Sequence, residues 1–143
     1  MIRKHRSNDL EPILDIWYQA STLAHPFLDD AFVEQVKTAM RDVYIPGSET
    51  WVYETENKIL GFISMMNNEI GGLFVLPNHH SKGIGSQLVN YIRPMHSSLE
   101  VEVFKNNDIG RKFYNKLKFK QLNKYFHEPS KQEVLRLKLD TLI

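Results

Sequence analysis

The sequence predicts a single α/β domain spanning residues 1–143. Apolar stretches with strand alternation take turns with amphipathic helical stretches along the whole chain. No linker rich in Pro, Gly or Ser and no internal repeat breaks the series. At 143 residues and 42% hydrophobic content, the chain is large enough to bury one real core.

Residues 2–5 read as a short strand. Asn8 with Glu11 three positions on reads as a capping box, and Pro12 is tolerated in a first helical turn. Leu10, Ile13, Leu14, Trp17 and Tyr18 then form one helical stripe. A second helix is predicted over residues 29–44, its start favoured by Asp29-Asp30 and its end forced by Pro46-Gly47. Residues 51–53 and 59–65 read as strands around a turn at Glu56-Asn57, and residues 70–75 complete a meander. Gly71-Gly72 allows either a bulge or a flexible strand start. Behind Pro77 a polar loop leads to an amphipathic helix that begins at Gly83-Ile84-Gly85. Residues 99–103 alternate as a strand, a further helix carries Phe113-Tyr114, and residues 120–125 and 134–139 form a terminal strand pair. Leu135, Leu137 and Leu139 alternate with charged residues, which predicts one wet face for the last strand.

Composition excludes several classes. A net charge near +1 gives no whole-chain attraction to nucleic acid or an anionic membrane, so neither is expected as a partner. No apolar run reaches the ~20 residues that span a bilayer. The basic start Met1-Ile2-Arg3-Lys4-His5 has no apolar signal region behind it. Zero cysteines exclude disulfides and a thiol nucleophile, and fit a reducing cytoplasm. The six histidines are scattered and the neighbours His79 and His80 point different ways, so no metal site is expected.

The stretch from Leu73 to Val89 carries the clearest functional signal. A strand ends at Pro77, and a helix restarts behind two glycines, where unpaired N–H groups and the helix dipole make a seat for a phosphate or pyrophosphate. Lys82 adds a cation there. The loop is too short for a Walker A motif, and Leu88 stands where a dinucleotide fingerprint needs its third glycine. A Gly-x-Gly at a helix start is also, by itself, an ordinary tight turn into the helix.

The surrounding residues point further. Leu73, Val75 and Pro77, followed by Gly83 and Gly85, resemble motif A of the GCN5-related N-acetyltransferases, with His80 in the usual Gln/Arg position. Asn107, Gly110, Phe113, Tyr114 and Phe119 resemble the family's motif B, with Gly110 for the usual Ala and Lys118 for the usual Gly. The first swap keeps a small residue beside the cofactor arm; the second predicts a helix that ends without a glycine cap. The order strand, two helices, three strands, helix, strand, helix, two strands is the family's layout. The resemblance implies a mixed, mostly antiparallel central sheet with helices on both faces. It further implies a gap where the strand at 73–75 splays from the strand at 101–103.

By that resemblance, acetyl-CoA is the acetyl donor and a primary amine the acceptor. The pantetheine arm would pair with backbone of Phe74 and Val75. The loop His80, Ser81, Lys82, Gly83, Ile84, Gly85 and Ser86 would hold the pyrophosphate, with Asn107 and Gly110 beside the arm. Tyr114 would protonate the leaving thiolate, since an unperturbed phenol keeps its proton at neutral pH; its spacing alone favours an aromatic core residue, and the family position reverses that. Glu102 is the candidate base, or else a charged residue on a wet strand face, and Glu69 and His25 are reserves. Trp17, His25, Phe27 and Glu69 are candidates to line the acceptor cleft, the two aromatics also fitting the core. The expected acceptor is a protein lysine or N-terminal amine. A small amine (polyamine, amino acid or drug) and a non-catalytic acyl-CoA-binding module are the alternatives, and the protein would act as a monomer or homodimer.

Overall fold

The computed structural model describes residues 1–141. In chain order the elements are β1 (Ile2–Lys4), α1 (Leu10–Ala24), α2 (Asp30–Ala39), β2 (Glu49–Thr55), β3 (Lys58–Met66), β4 (Glu69–Val75), α3 (Ile84–Ile92), β5 (Ser98–Phe104), α4 (Asp108–Lys116), β6 (Lys120–His127) and β7 (Gln132–Asp140). The strands form one seven-stranded sheet in the order β1-β2-β3-β4-β5-β7-β6. Every pairing is antiparallel except β4 with β5. The expected α/β class and mixed sheet are therefore present.

Strand alternation divides the core in two. Trp51, Ile63, Leu99, Val101 and Val103 face α3 and α4, where Leu88, Ile92 and Tyr114 meet them. Their neighbours Val52 and Phe62 face the other way, onto Ile13, Leu14 and Trp17 of α1. The β2–β3 hairpin turns through Glu56 and Asn57, both at positive φ (51° and 63°). That geometry matches the right-handed twist of the paired strands.

Helix ends show how local choices were settled. Asp29 caps α2 as expected, accepting from the Phe32 N–H at 2.8 Å. The helix then runs on into a π-helical turn at Met40–Tyr44. The Asn8–Glu11 box does not form. Arg3 of β1 grips the buried Asp9 carboxylate at 2.8 and 3.1 Å, so Asp9 accepts the Arg6 N–H (2.7 Å) and the box moves upstream. That pairing with Arg3, helped by the Arg6 N–H, holds the Asp9 carboxyl below the usual carboxylate range. Glu11 instead pairs with Arg41.

α4 ends without a glycine, as expected, yet the left-handed cap forms. Lys118 adopts the left-handed conformation (φ 74°) that glycine would take. Phe119 N–H donates to the Tyr114 carbonyl and Lys118 N–H to the Asn115 carbonyl, both at 3.0 Å, so the double-bonded αL cap is complete. A lysine there carries left-handed strain of about 1–2 kcal/mol. Lys118→Gly is therefore expected to raise stability by about 0.5–1 kcal/mol, some of the gain being lost to the more flexible unfolded chain. A melting temperature unchanged or lowered in a thermal scan would contradict this.

The last strand alternates as expected: Leu135, Leu137 and Leu139 are buried, while Arg136, Lys138 and Asp140 on the other face keep part of their exposure, Arg136 being held there by carboxylates. β7 lies inside the sheet, between β5 and β6, and the edge strands are β1 and β6. Among the described residues no helix is long and apolar enough to cross a membrane.

Candidate active site

β4 and β5 pair only at Glu69–Glu100 and Ile70–Val101, and then part. The cause lies one strand away: Ser64 pairs with Gly72 and Met65 with Ile70, which leaves Gly71 as a bulged extra residue. A bulge bends its strand, and here it turns β4 away from β5. A cleft of about 830 Å³ opens between them, bounded by α1 and α2 on one side and by the start of α3 and all of α4 on the other.

Register decides which backbone groups face this cleft. Leu76 N–H donates to the Leu60 carbonyl at 2.9 Å, and Phe62–Phe74 and Ser64–Gly72 follow in the same two-residue phase. Phe74 backbone is thus taken by β3, and Leu73 and Val75 point into the gap. The expectation for Phe74 is corrected: it offers its ring, packed on Phe62 at 5.7 Å, and not its N–H or carbonyl. The His80 ring turns back to β4 and its Nε2–H donates to the Val75 carbonyl (2.9 Å), a use that neither charge nor spacing foretold.

At the far end of β4, Ser81 and Gly83 both sit at positive φ (68° and 78°). They swing the chain into α3 with Gly83 as an N-cap that lacks a capping side chain. The N–H groups of Ile84, Gly85 and Ser86 therefore have no partner within the helix and form an anion seat. All three residues line the cleft, whereas Lys82 does not and lies 3.1 Å from His79 Nδ1. The two glycines differ in purpose. A Cβ on Gly83 would meet open space, so backbone conformation alone selects glycine. A Cβ on Gly85 would stand 2.9 Å from the Phe113 ring, so its bareness lets α3 rest on α4.

α4 holds the remaining donor-side candidates. Asn107 caps it, Oδ1 accepting the Gly110 N–H at 2.9 Å. A Cβ on Gly110 would strike Asn107 Nδ2 at 2.5 Å and Val103 at 3.1 Å. Its smallness thus serves the cap, and the residue also borders the cleft. Asn107 Nδ2 reaches His25 Nε2 at 3.1 Å, so both ends of the amide are engaged. Tyr114, 6% exposed, is wedged edge-on between Phe113 and Phe119 with ring centroids 5.1 Å from each. Burial pushes its phenol above the ordinary range, which keeps it protonated, and the side chain borders the cleft. Core residue and cleft residue are here the same residue.

On the acceptor side, Arg136 gathers three carboxylates: Glu100 at 2.7 Å, and Glu69 and Glu102 at 3.2 Å each. Tyr125 Oη donates to Glu102 at 2.8 Å. Its phenol is pushed up to about 12, by desolvation first and then by that bond. Glu102 borders the cleft and Glu69 does not. Glu102 is thus a paired, part-exposed carboxylate. Trp17 belongs mainly to the core at 4% exposure, with one edge on the cleft. Phe27 stands outside the lining and packs edge-on against His25 and Phe104. The apolar wall comes instead from Leu28 and from Phe32, Val33 and Val36 of α2, the last three without a signal in the sequence that sets them apart from an ordinary helical stripe.

His25 does not offer a free base. Asn107 engages its Nε2 and Ser21 Oγ its Nδ1 (3.0 Å). Burial pushes the ring down to about 4. The unfolded chain takes up this proton near pH 6.5 and the folded chain near 4, so the unfolded state binds more protons between them. Stability from this ring is full above the upper value and is lost as pH falls through the window, by on the order of 2–3 kcal/mol. Denaturant melts from pH 7 to 4 are expected to show a smaller loss for His25→Gln than for the native chain. Parallel losses would contradict it.

Residues 46–121, more than half of the chain, match the family model described as an acetyltransferase (GNAT) domain. The chain belongs to the GCN5-related N-acetyltransferase family. The match takes in the bulged β4, the α3 anion seat and α4, while α1, α2 and Arg136 lie outside it. The chain is 33% identical over 115 residues to the peptidyl-lysine N-acetyltransferase YiaC of Escherichia coli K12, covering 80% of this chain and 79% of that protein. It is 28% identical over 120 residues to the peptidyl-lysine N-acetyltransferase YjaB of Salmonella typhimurium, covering 83% and 82%. Among solved structures, the PaiA N-acetyltransferase of Thermoplasma acidophilum in complex with coenzyme A shares the fold at TM-score 0.79, with 18% identity and coverage of 97% and 98%. The chain is an acetyltransferase by family.

Proposed function

We propose that this acetyltransferase moves the acetyl group of acetyl-CoA to a protein lysine by direct attack within a ternary complex. The observation that carries the donor half is the β4 edge that β5 leaves, where Leu73 and the Val75 N–H face the gap, running to the free N–H groups of Ile84, Gly85 and Ser86. An arm with amide groups completes the strand pairing, and a diphosphate fits the helix start. The fold it shares with the coenzyme A-bound Thermoplasma protein supports this. The acceptor half rests on relatives named peptidyl-lysine N-acetyltransferases.

Only a neutral amine attacks a thioester. Glu102, at the cleft and paired with Arg136, is the base that takes the proton from the lysine ammonium, directly or through water. The new N–C bond forms as the C–S bond breaks, Tyr114 gives its proton to the departing sulfur, and the second proton, shed by the nitrogen as the amide forms, returns to the Tyr114 oxygen through water. Holding amine and thioester together in the cleft supplies much of the rate.

Coenzyme A thiol release, measured over lysine peptides, free-N-terminus peptides and small amines, tests the reading. Turnover with internal lysine peptides is expected. Acetyl-CoA at a hundredfold excess over Kd should stabilise the fold by about 2.7 kcal/mol. Turnover confined to small amines would replace the lysine acceptor, and stabilisation without any turnover would leave a binding module.

A further inference from the structure

A hydrogen-bonded chain joins the end of α1 to the start of α4, and the mechanism above does not use it. Asn107 Oδ1 accepts the Gly110 N–H, which fixes the amide so that Nδ2 faces His25 Nε2 at 3.1 Å. An amide nitrogen donates, so Nε2 must accept. The neutral ring then carries its hydrogen on Nδ1, which donates to Ser21 Oγ at 3.0 Å. The His25 backbone N–H is tied as well, to the Ser21 carbonyl at 2.7 Å. Phe104 of β5 meets the ring edge-on at 4.9 Å and Phe27 at 5.8 Å.

We propose that His25, in the Nδ1–H form, is a positioning residue that sets the Tyr114 helix against the acceptor side of the cleft by holding its Asn107 cap. It touches no reacting atom. The proposal rests on the reading of Tyr114 as the acid, and it follows from how a short helix transmits position. Asn107 and Tyr114 are seven residues, two helical turns, apart and so share a face of α4. The far end is already fixed by the bonded Lys118 cap and the Phe119 ring. His25 fixes the near end, and does so from the segment that bounds the acceptor cleft, which couples the two halves of the site. A proton on Nε2 would set donor against donor at Asn107 and break the link. The groups facing the ring are Ser21, Asn107, Phe27 and Phe104, none of them charged, and burial opposes that protonation.

Nitrogen-15 NMR of the histidine rings tests the link apart from the chemistry. His25 is expected to show a protonated Nδ1, a bare Nε2, and no titration between pH 5.5 and 8; the other tautomer, or titration in that range, overturns the proposal. Kinetics test its consequence. His25→Phe keeps the edge-on packing and removes the acceptor, and should lower kcat about tenfold or more with acetyl-CoA Kd within about twofold and the shape of the pH profile unchanged. His25→Gln, which restores an acceptor oxygen, should recover part of the rate. In a Tyr114→Phe background the His25→Phe change should cost little more. Native kcat in His25→Phe, or loss of one limb of its pH profile, overturns the positioning role. If instead His25→Phe is slow while Tyr114→Phe is fully active, it is the acid assignment that fails. If His25→Phe does not fold, the ring NMR of the native chain and the His25→Gln kinetics still decide.

Discussion

Tyr114→Phe is expected to lower turnover by roughly 10- to 1,000-fold while leaving the fold and the acetyl-CoA affinity close to native. The substitution deletes one hydroxyl and keeps the ring. That ring is what Phe113 and Phe119 hold edge-on, so packing is preserved. The hydroxyl is what the proposed chemistry uses. Burial raises the phenol, which keeps the proton in place at neutral pH and ready for a departing thiolate. Glu102→Gln should behave differently. Its deficit should shrink as pH rises, because more of the acceptor amine then arrives neutral without help. Rates must be taken where chemistry limits turnover, since slow product release would mask either loss. Full activity in Tyr114→Phe under those conditions would make Tyr114 a core residue only and leave positioning as the main source of rate.

Much of this site was legible because it is local. Alternation marked the strands, Pro77 and the two glycines marked the strand-to-helix turn, and the spacing of Asn107, Phe113 and Tyr114 marked α4. What was hidden depends on partners far along the chain. Glu102 meets Arg136 only because β7 inserts between β5 and β6, a topology that adjacent strands do not announce. His25 meets Asn107 across 82 positions. The choice of Leu73 and Val75 over Phe74 turns on one phase, set by the Leu60–Leu76 bond. Slipping a strand by one residue exchanges its two edges' hydrogen-bonding roles as well as its faces, and no composition rule supplies that phase. Glycine was the other ambiguity. A sequence states that a side chain is missing, but only coordinates state what it would have struck.

Gly85→Val should abolish acetyl-CoA binding, and for a reason that Phe113 can reveal. The added Cβ would stand 2.9 Å from one Phe113 ring carbon and 3.2 Å from the next. Such contacts force α3 and α4 apart, an overpacking cost of about 1–3 kcal/mol. The shift carries away the N–H groups that open α3 and disturbs the neighbour of Tyr114, so affinity and turnover fall together. Gly83→Ala makes a contrast. Its Cβ has room, the nearest atom being Gln87 Nε2 at 4.0 Å, but φ of 78° charges an L residue about 1–2 kcal/mol. That variant should fold and bind more weakly, as the loop relaxes out of its left-handed turn. Trimming the obstacle separates clash from ligand approach: Gly85→Val combined with Phe113→Leu should regain part of the lost affinity in isothermal titration. If the double variant binds no better than Gly85→Val alone while remaining folded, the bare Cα of Gly85 serves the ligand directly, and helix packing is not what selected it.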